Sequence, residues 1–243
     1  MRRTIAWKMA ILAPGIVVAL AFFAAWQAPY STINRFGPGQ EWEALTRFCM
    51  RLWAILMLPL YIVLQSALLA GLDHAGGQWR SILARPLPRW TFYVTKLTFL
   101  IGLAVTGSAL LALGIMLDGA ILPLLQRDLV FASPIPWGMI LRSCAEVFGL
   151  AFVGLAIQNW ISLRWQSFSV AIAGGIVLLV LGVFAGAVGQ STDNSLRFFP
   201  SALPMLVIAR NVANLAIGLR ISVVCGVLVA IVAGIDFCRR EVS

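Results

Sequence analysis

The one histidine, His74, follows Asp73, and together they are the nearest approach in the sequence to a metal or proton-transfer site. A metal ion needs three or four donors, and Asp73 alone does not complete a set. A serine nucleophile would have to share the depth of its histidine. Ser66 and Ser108 fall inside long apolar runs, whereas His74 falls at the edge of one. Cys49, Cys144, Cys225 and Cys238 are scattered, with no CxxC pair, and fit small apolar packing residues better than a metal or disulfide framework. No GxxxxGK[ST] phosphate loop occurs, so the chain has no such device for harnessing ATP. No catalytic or metal-binding residue is therefore expected.

The elements that must position any site are set by composition. Of 243 residues, 61% are hydrophobic and 11% charged, and the mean hydropathy is +0.94. A soluble domain carries about 25% charged residues. Here there is too little polar surface to face water all round, so lipid is part of the solvent. A net charge of +9 raises nucleic acid as a partner, but the basic residues sit at the ends of apolar runs instead of forming one stripe. They suit anchors at the lipid headgroups.

A bilayer-crossing helix needs about 20 mostly apolar residues. Uncharged or nearly uncharged stretches predict six spans, at about 9–28, 52–72, 97–117, 140–161, 168–190 and 217–237, in one transmembrane domain over 1–243. A seventh apolar patch near 198–210 is short and holds Pro200 and Pro204, which predicts a re-entrant or interfacial outer helix. The fold class is thus an all-α integral membrane protein. Ten basic residues, including Arg2, Arg3, Arg80, Arg89 and Arg240, fall on the side of the termini and the 73–96 connection, against eight opposite. The ten occupy shorter connections, and Glu41, Glu43, Asp118, Asp128 and Asp193 fall on the other face. Both termini are expected in the cytoplasm, the first helix staying as an uncleaved span. All nine tryptophans fall near span ends, the pattern of an aromatic belt.

Among the acids, the pattern singles out Glu146 within a span, one turn from Arg142, so the two form a possible intramembrane polar pair. Gln65, Ser66, Gln158 and Asn159 either line a polar seam or bond to neighbours. Gly182 with Gly186, and Gly107 with Gly114, permit close helix approach.

The connection between spans 2 and 3 carries most information. Trp79, Ile82 and Leu83 recur at helical spacing, and Pro86 and Pro88 stop the pattern. This predicts a short amphipathic helix over 78–85, which would serve either as an interfacial loop helix with snorkelling arginines or as a lever for a cytosolic partner.

The same stretch resembles the loop of ABC-2 type permeases, in particular the small six-span group of lantibiotic and peptide-antibiotic immunity. That loop has an acid, often followed by His, then Trp, leucine-like residues, a proline–arginine motif, an aromatic and a lysine. The matching positions are Asp73, His74, Trp79, Leu83, Pro86, Pro88, Arg89, Tyr93 and Lys96. Asp73 stands where Glu is usual, and Arg85 where an apolar residue is commoner. The outer segment from Phe198 to Pro204 is also similar to the proline-flanked external helices of that group.

The resemblance implies a permease subunit of an ATP-binding cassette transporter. Its substrate would be hydrophobic or amphipathic, such as a membrane-active peptide. The 78–85 segment would be a coupling helix, and Asp73, His74, Trp79, Arg80, Leu83, Pro86, Pro88, Arg89 and Lys96 would form the ATPase-coupling loop. A cytosolic ATPase would use ATP and Mg, this chain binding no cofactor itself. A second permease copy or a paralogue would complete a dimer in the cytoplasmic (inner) membrane. Two other classes are a non-catalytic membrane scaffold or assembly factor, which has no need of a proline-ended loop helix, and an intramembrane enzyme, which needs clustered polar groups at one depth.

Overall fold

A computed structural model describes residues 2–27, 40–74, 89–125, 131, 133–165, 167–189, 199–207 and 212–239. Helix α1 covers Arg2–Gln27. Helix α2 covers Glu41–Leu52 and runs through a π segment, Trp53–Met57, into α3, Leu58–His74. Then come α4, Arg89–Leu125, α5, Trp137–Arg164, and α6, Phe168–Gly189. A short 3-10 helix, Leu203–Val207, precedes α7, Val212–Arg239. Among the described residues there is no strand. Among these residues, six helical stretches are long and apolar enough to cross a membrane. Helices suit lipid because each satisfies its own backbone polar groups where no water can.

The helices that hold these stretches are longer than the uncharged runs that mark them. The second begins at Glu41, and the third continues to Leu125. Helix α2 explains the first extension. Trp42, Leu45, Thr46, Cys49 and Met50 are buried at helical spacing, while Glu43 and Arg47 pair on the outward side. Its charges therefore need not leave the helix. Glu41 and Glu43 also lie in its first turn, where carboxylates complement the helix dipole.

The π segment has a local cause. Pro59 has no N–H, and its ring crowds the carbonyl four residues back. Just before it, the Leu58 N–H bonds Trp53 O, five residues back, widening the turn. This places Trp53, fully buried, against Tyr61 at 6.1 Å between ring centroids. Tyr61 OH in turn donates to Leu103 O at 2.8 Å, tying α3 to α4.

The centre of the bundle is α3, α4 and α5, with α1 packed on α4, α6 on α3, and α7 on α5. The most apolar windows of α1, α6 and α7 are only 22%, 22% and 17% buried, so their outer faces are left to lipid. Leu203, Pro204 and Leu206 of the 3-10 helix are buried. It dips between α5, α6 and α7 over glycines: a Cβ on Gly182 would meet Ser201 O at 2.8 Å, and one on Gly218 would meet Leu206 Cδ1 at 2.4 Å. Residues 199–202 enter this 3-10 helix as a turn, not as a longer outer helix, while 198 and 208–210 lie outside the described residues.

Two tryptophans do not belong to a belt. Trp42 and Trp53 are core residues, 3% and 0% exposed, whereas Trp7, Trp90, Trp137 and Trp165 are exposed. Trp42 Nε1 donates to Ser133 O at 3.1 Å, and its ring meets Phe131 edge-on at 4.8 Å. A Cβ on Gly119 would sit 2.3 Å from that ring. Gly119→Ala is therefore expected to lose about 1 kcal/mol net. Overpacking costs about 1–3 kcal/mol, offset by roughly 1 kcal/mol of helix propensity. Denaturant titration in micelles measures this, and a stabilised variant would show that the Trp42 ring moves freely.

Candidate functional site

The 75–88 connection, with Trp79, Arg80, Leu83, Pro86 and Pro88, lies outside the described residues, as does the expected 78–85 helix. Asp73 and His74 are the last residues of α3, and Arg89 is the first of α4. The side chains of these three also lie outside the described part. Lys96 is half-buried, two turns into α4. What can be built is the framework the connection enters: the bundle end at which α3 stops and α4 starts.

Three joints hold that end together. Tyr93, 4% exposed, lies one turn inside α4. Its ring is 6.3 Å from that of Phe237 and would touch a Cβ on Gly234 at 3.3 Å, so α4 rests on the end of α7. Arg164, at the end of α5, reaches both carboxylate oxygens of Asp236 on α7, at 3.0 and 3.1 Å. Trp160 Nε1 donates to the same carboxylate at 2.9 Å. Finally, Phe168 at the start of α6 lies against Gly71 near the end of α3. The start of α4 is thus in contact with the end of α7, and the end of α7 is bonded through Asp236 to the end of α5.

Asp236 was not singled out in the sequence, although it lies within the expected 217–237 span. An ionisable residue in an apolar run is itself a signal of a partner. Its partners, 72 and 76 positions away, could not be named from spacing.

Deeper in the bundle, Gln65, Ser66, Gln158 and Asn159 are all buried. Gln158 Nε2 donates to Ala171 O at 2.9 Å, joining α5 to α6. Ser66 Oγ bonds only within its own helix, to Val63 O. A further seam joins α5 to α7: Ser222 Oγ donates to Leu150 O at 2.9 Å and accepts from Val153 N at 3.2 Å.

At the other end of the bundle, Arg142 Nε donates to Glu146 Oε1 at 2.8 Å within α5. The arginine is 73% exposed and the glutamate 18%. Glu146 is not the only acid inside a crossing helix. Asp118, expected in the connection after span 3, lies within α4 and is 5% exposed, and Asp236 lies within α7. The reason is that α4 stays helical for seven residues past Asp118, through Pro123 to Leu125. Among the described residues, no group of three His, Cys, Asp or Glu could hold a metal ion.

A family model described as ABC-2 family transporter protein matches residues 1–186, from α1 almost to the end of α6. No curated protein matches the chain, and no solved structure matches it.

Proposed function

The chain belongs to the ABC-2 family of transporter proteins, and from that membership we propose that it is the permease subunit of an ATP-binding cassette transporter driven by a separate cytosolic ATPase. The observation that carries this reading is the family match over residues 1–186, and the joint between the start of α4 and the ends of α5 and α7 fits it.

In this reading the 78–85 helix docks on the ATPase. ATP and Mg act there, and this chain holds neither. Closure of the ATPases presses the loop, and Arg89 carries the displacement into α4. Tyr93 bears on Gly234 and Phe237, and the Asp236 carboxylate drags the end of α5 with α7. The half-exposed rim helices α1, α6 and α7 face lipid and a second permease, identical or related. Both termini and the loop lie in the cytoplasm, and the bilayer is the inner membrane. A hydrophobic or amphipathic substrate then leaves the bilayer outward. The loop's likeness to peptide-antibiotic immunity permeases favours a membrane-active peptide.

Co-purification tests this directly: an ATP-binding cassette subunit is expected to come down with the full chain. Trp79→Ala and Arg89→Glu are each expected to weaken that association about tenfold or more, the usual cost of an anchoring aromatic or arginine, with thermal stability unchanged. Absence of any ATPase from the purified complex would overturn the reading.

A further inference from the structure

Helix α7 carries one charge far from either of its ends, Arg220. The helix turns Asn214, Gly218, Ser222 and Gly226 toward the bundle, all of them buried. At about 100° per residue, Arg220 lies on the opposite side, about 200° from both Gly218 and Ser222. It is exposed there, and its side of the helix continues in exposed Val224, Leu228 and Ile231. Asp236 fixes its depth. That carboxylate sits at the bundle end with Arg164 and Trp160. Sixteen residues separate it from Arg220, about 24 Å of helix. A hydrocarbon core is about 30 Å thick, so with Asp236 at one boundary the Arg220 backbone lies about 6 Å short of the other. An arginine at that depth is costly unless it is matched. Among the described residues no acid pairs with it. Side chains on a helix lean toward its N-terminus, which for Arg220 is toward the nearer boundary. The residue one turn that way, Ala216, is small and exposed, so the aliphatic stem passes over it and the guanidinium rises to the headgroups.

We propose that Arg220 holds the phosphate of an anionic phospholipid in the leaflet where α7 begins, with an acyl chain of that lipid lying along Val224, Leu228 and Ile231. The planar guanidinium fork matches two phosphate oxygens at once. A lipid phosphate also stands at the boundary and keeps part of its own water. A carboxylate on a partner helix at the depth of Arg220 would have to be stripped of it. A second copy of the chain does not fit this face, because a two-fold axis along the membrane normal would set Arg220 against Arg220. Anionic lipid is favoured over phosphatidylcholine, whose own ammonium competes for the phosphate. The site requires only that α7 crosses a bilayer, and it stands or falls separately from the permease reading.

The test uses the full chain in phosphatidylcholine nanodiscs holding a trace of phosphatidylglycerol with a diazirine midway along one acyl chain. Light is expected to label residues 224–231 several-fold more than a phosphatidylcholine probe with the same chain does. Arg220→Gln should lower labelling by the anionic probe about fivefold, the share of one arginine near an anionic headgroup. Arg220→Lys, which keeps the charge and loses the fork, should fall between the two. Arg142→Gln removes another exposed arginine at the same end of the bundle, one already paired with Glu146, and should leave labelling unchanged. The melting temperature of Arg220→Gln should hold or rise, because the side chain touches no described partner and a charge leaves the hydrocarbon. Equal labelling by the two probes, or labelling indifferent to Arg220→Gln, would overturn the site. A photoreactive amino acid placed at Val224 tests the occupant in native membranes. A lipid adduct supports the proposal, and a covalently attached polypeptide would replace the lipid with a partner helix and overturn it.

Discussion

Trp53→Ala is expected to destabilise the folded protein by about 3 kcal/mol, the low end of the roughly 3–5 kcal/mol measured for large aromatic deletions in protein cores. Those costs combine a transfer term with a cavity term. In a bilayer the deleted ring would stay among apolar chains even with the bundle apart, so the transfer term shrinks. The cavity term remains. Trp53 is fully buried, and its ring fills the space over Gly107, where an added Cβ would lie 3.5 Å from it. Lost dispersion contacts on every side of that ring have no substitute. Trp53→Phe keeps most of them and should cost about 1 kcal/mol. Trp137, 55% exposed, gives the contrast: Trp137→Ala should stay within about 0.5 kcal/mol. Unfolding by SDS in mixed micelles, followed by circular dichroism, ranks the three. Equal losses for Trp53 and Trp137 would mean that the α3–α4 contact is not the centre of the bundle.

The two tryptophans also show what the sequence could and could not reveal. Both stand next to an apolar run, so both look like belt residues. What separates them is that α2, with its charges on one side, continues into α3 and carries Trp53 inward. The number of crossings was legible because about 20 apolar residues in a row have no other stable home. Helix ends are not, because a charge that closes an apolar run does not by itself end a helix. Helix ends are set by hydrogen bonding and by what a side chain can pair with. Glu43 finds Arg47 on its own helix, and Asp118 is carried inside by a helix that has not yet ended. The Arg142–Glu146 pair lies one turn apart, so spacing alone brings the two residues to one face of α5. Gln158 is half legible: it is polar in an apolar span, but its partner, the Ala171 carbonyl of α6, is one that no local pattern locates.

The same contrast between local and distant partners sets the second large effect. Asp236→Ala is expected to cost about 2 kcal/mol, several times more than Glu146→Ala. Glu146 has an i,i+4 arginine that is mostly in solvent or headgroups, and such pairs contribute about 0.3–0.5 kcal/mol. Asp236 joins α7 to α5. Its ion pair with Arg164 is partly exposed, at 45% and 28%, which limits that share to about 1 kcal/mol. The Trp160 N–H adds a hydrogen bond to a charged acceptor, worth at least about 1.5 kcal/mol when the acceptor is removed. The two shares do not add fully, because they meet on one carboxylate. Asp236→Asn keeps an acceptor for Trp160 and loses the charge, so it should fall near 1 kcal/mol. A double-mutant cycle with Arg164→Gln separates the ionic part, which should shrink in 1 M salt, where screening acts within about 3 Å. If Asp236 and Glu146 cost the same, α5 and α7 are held by packing alone. The carboxylate would then not be the link through which a push on α4 reaches α5.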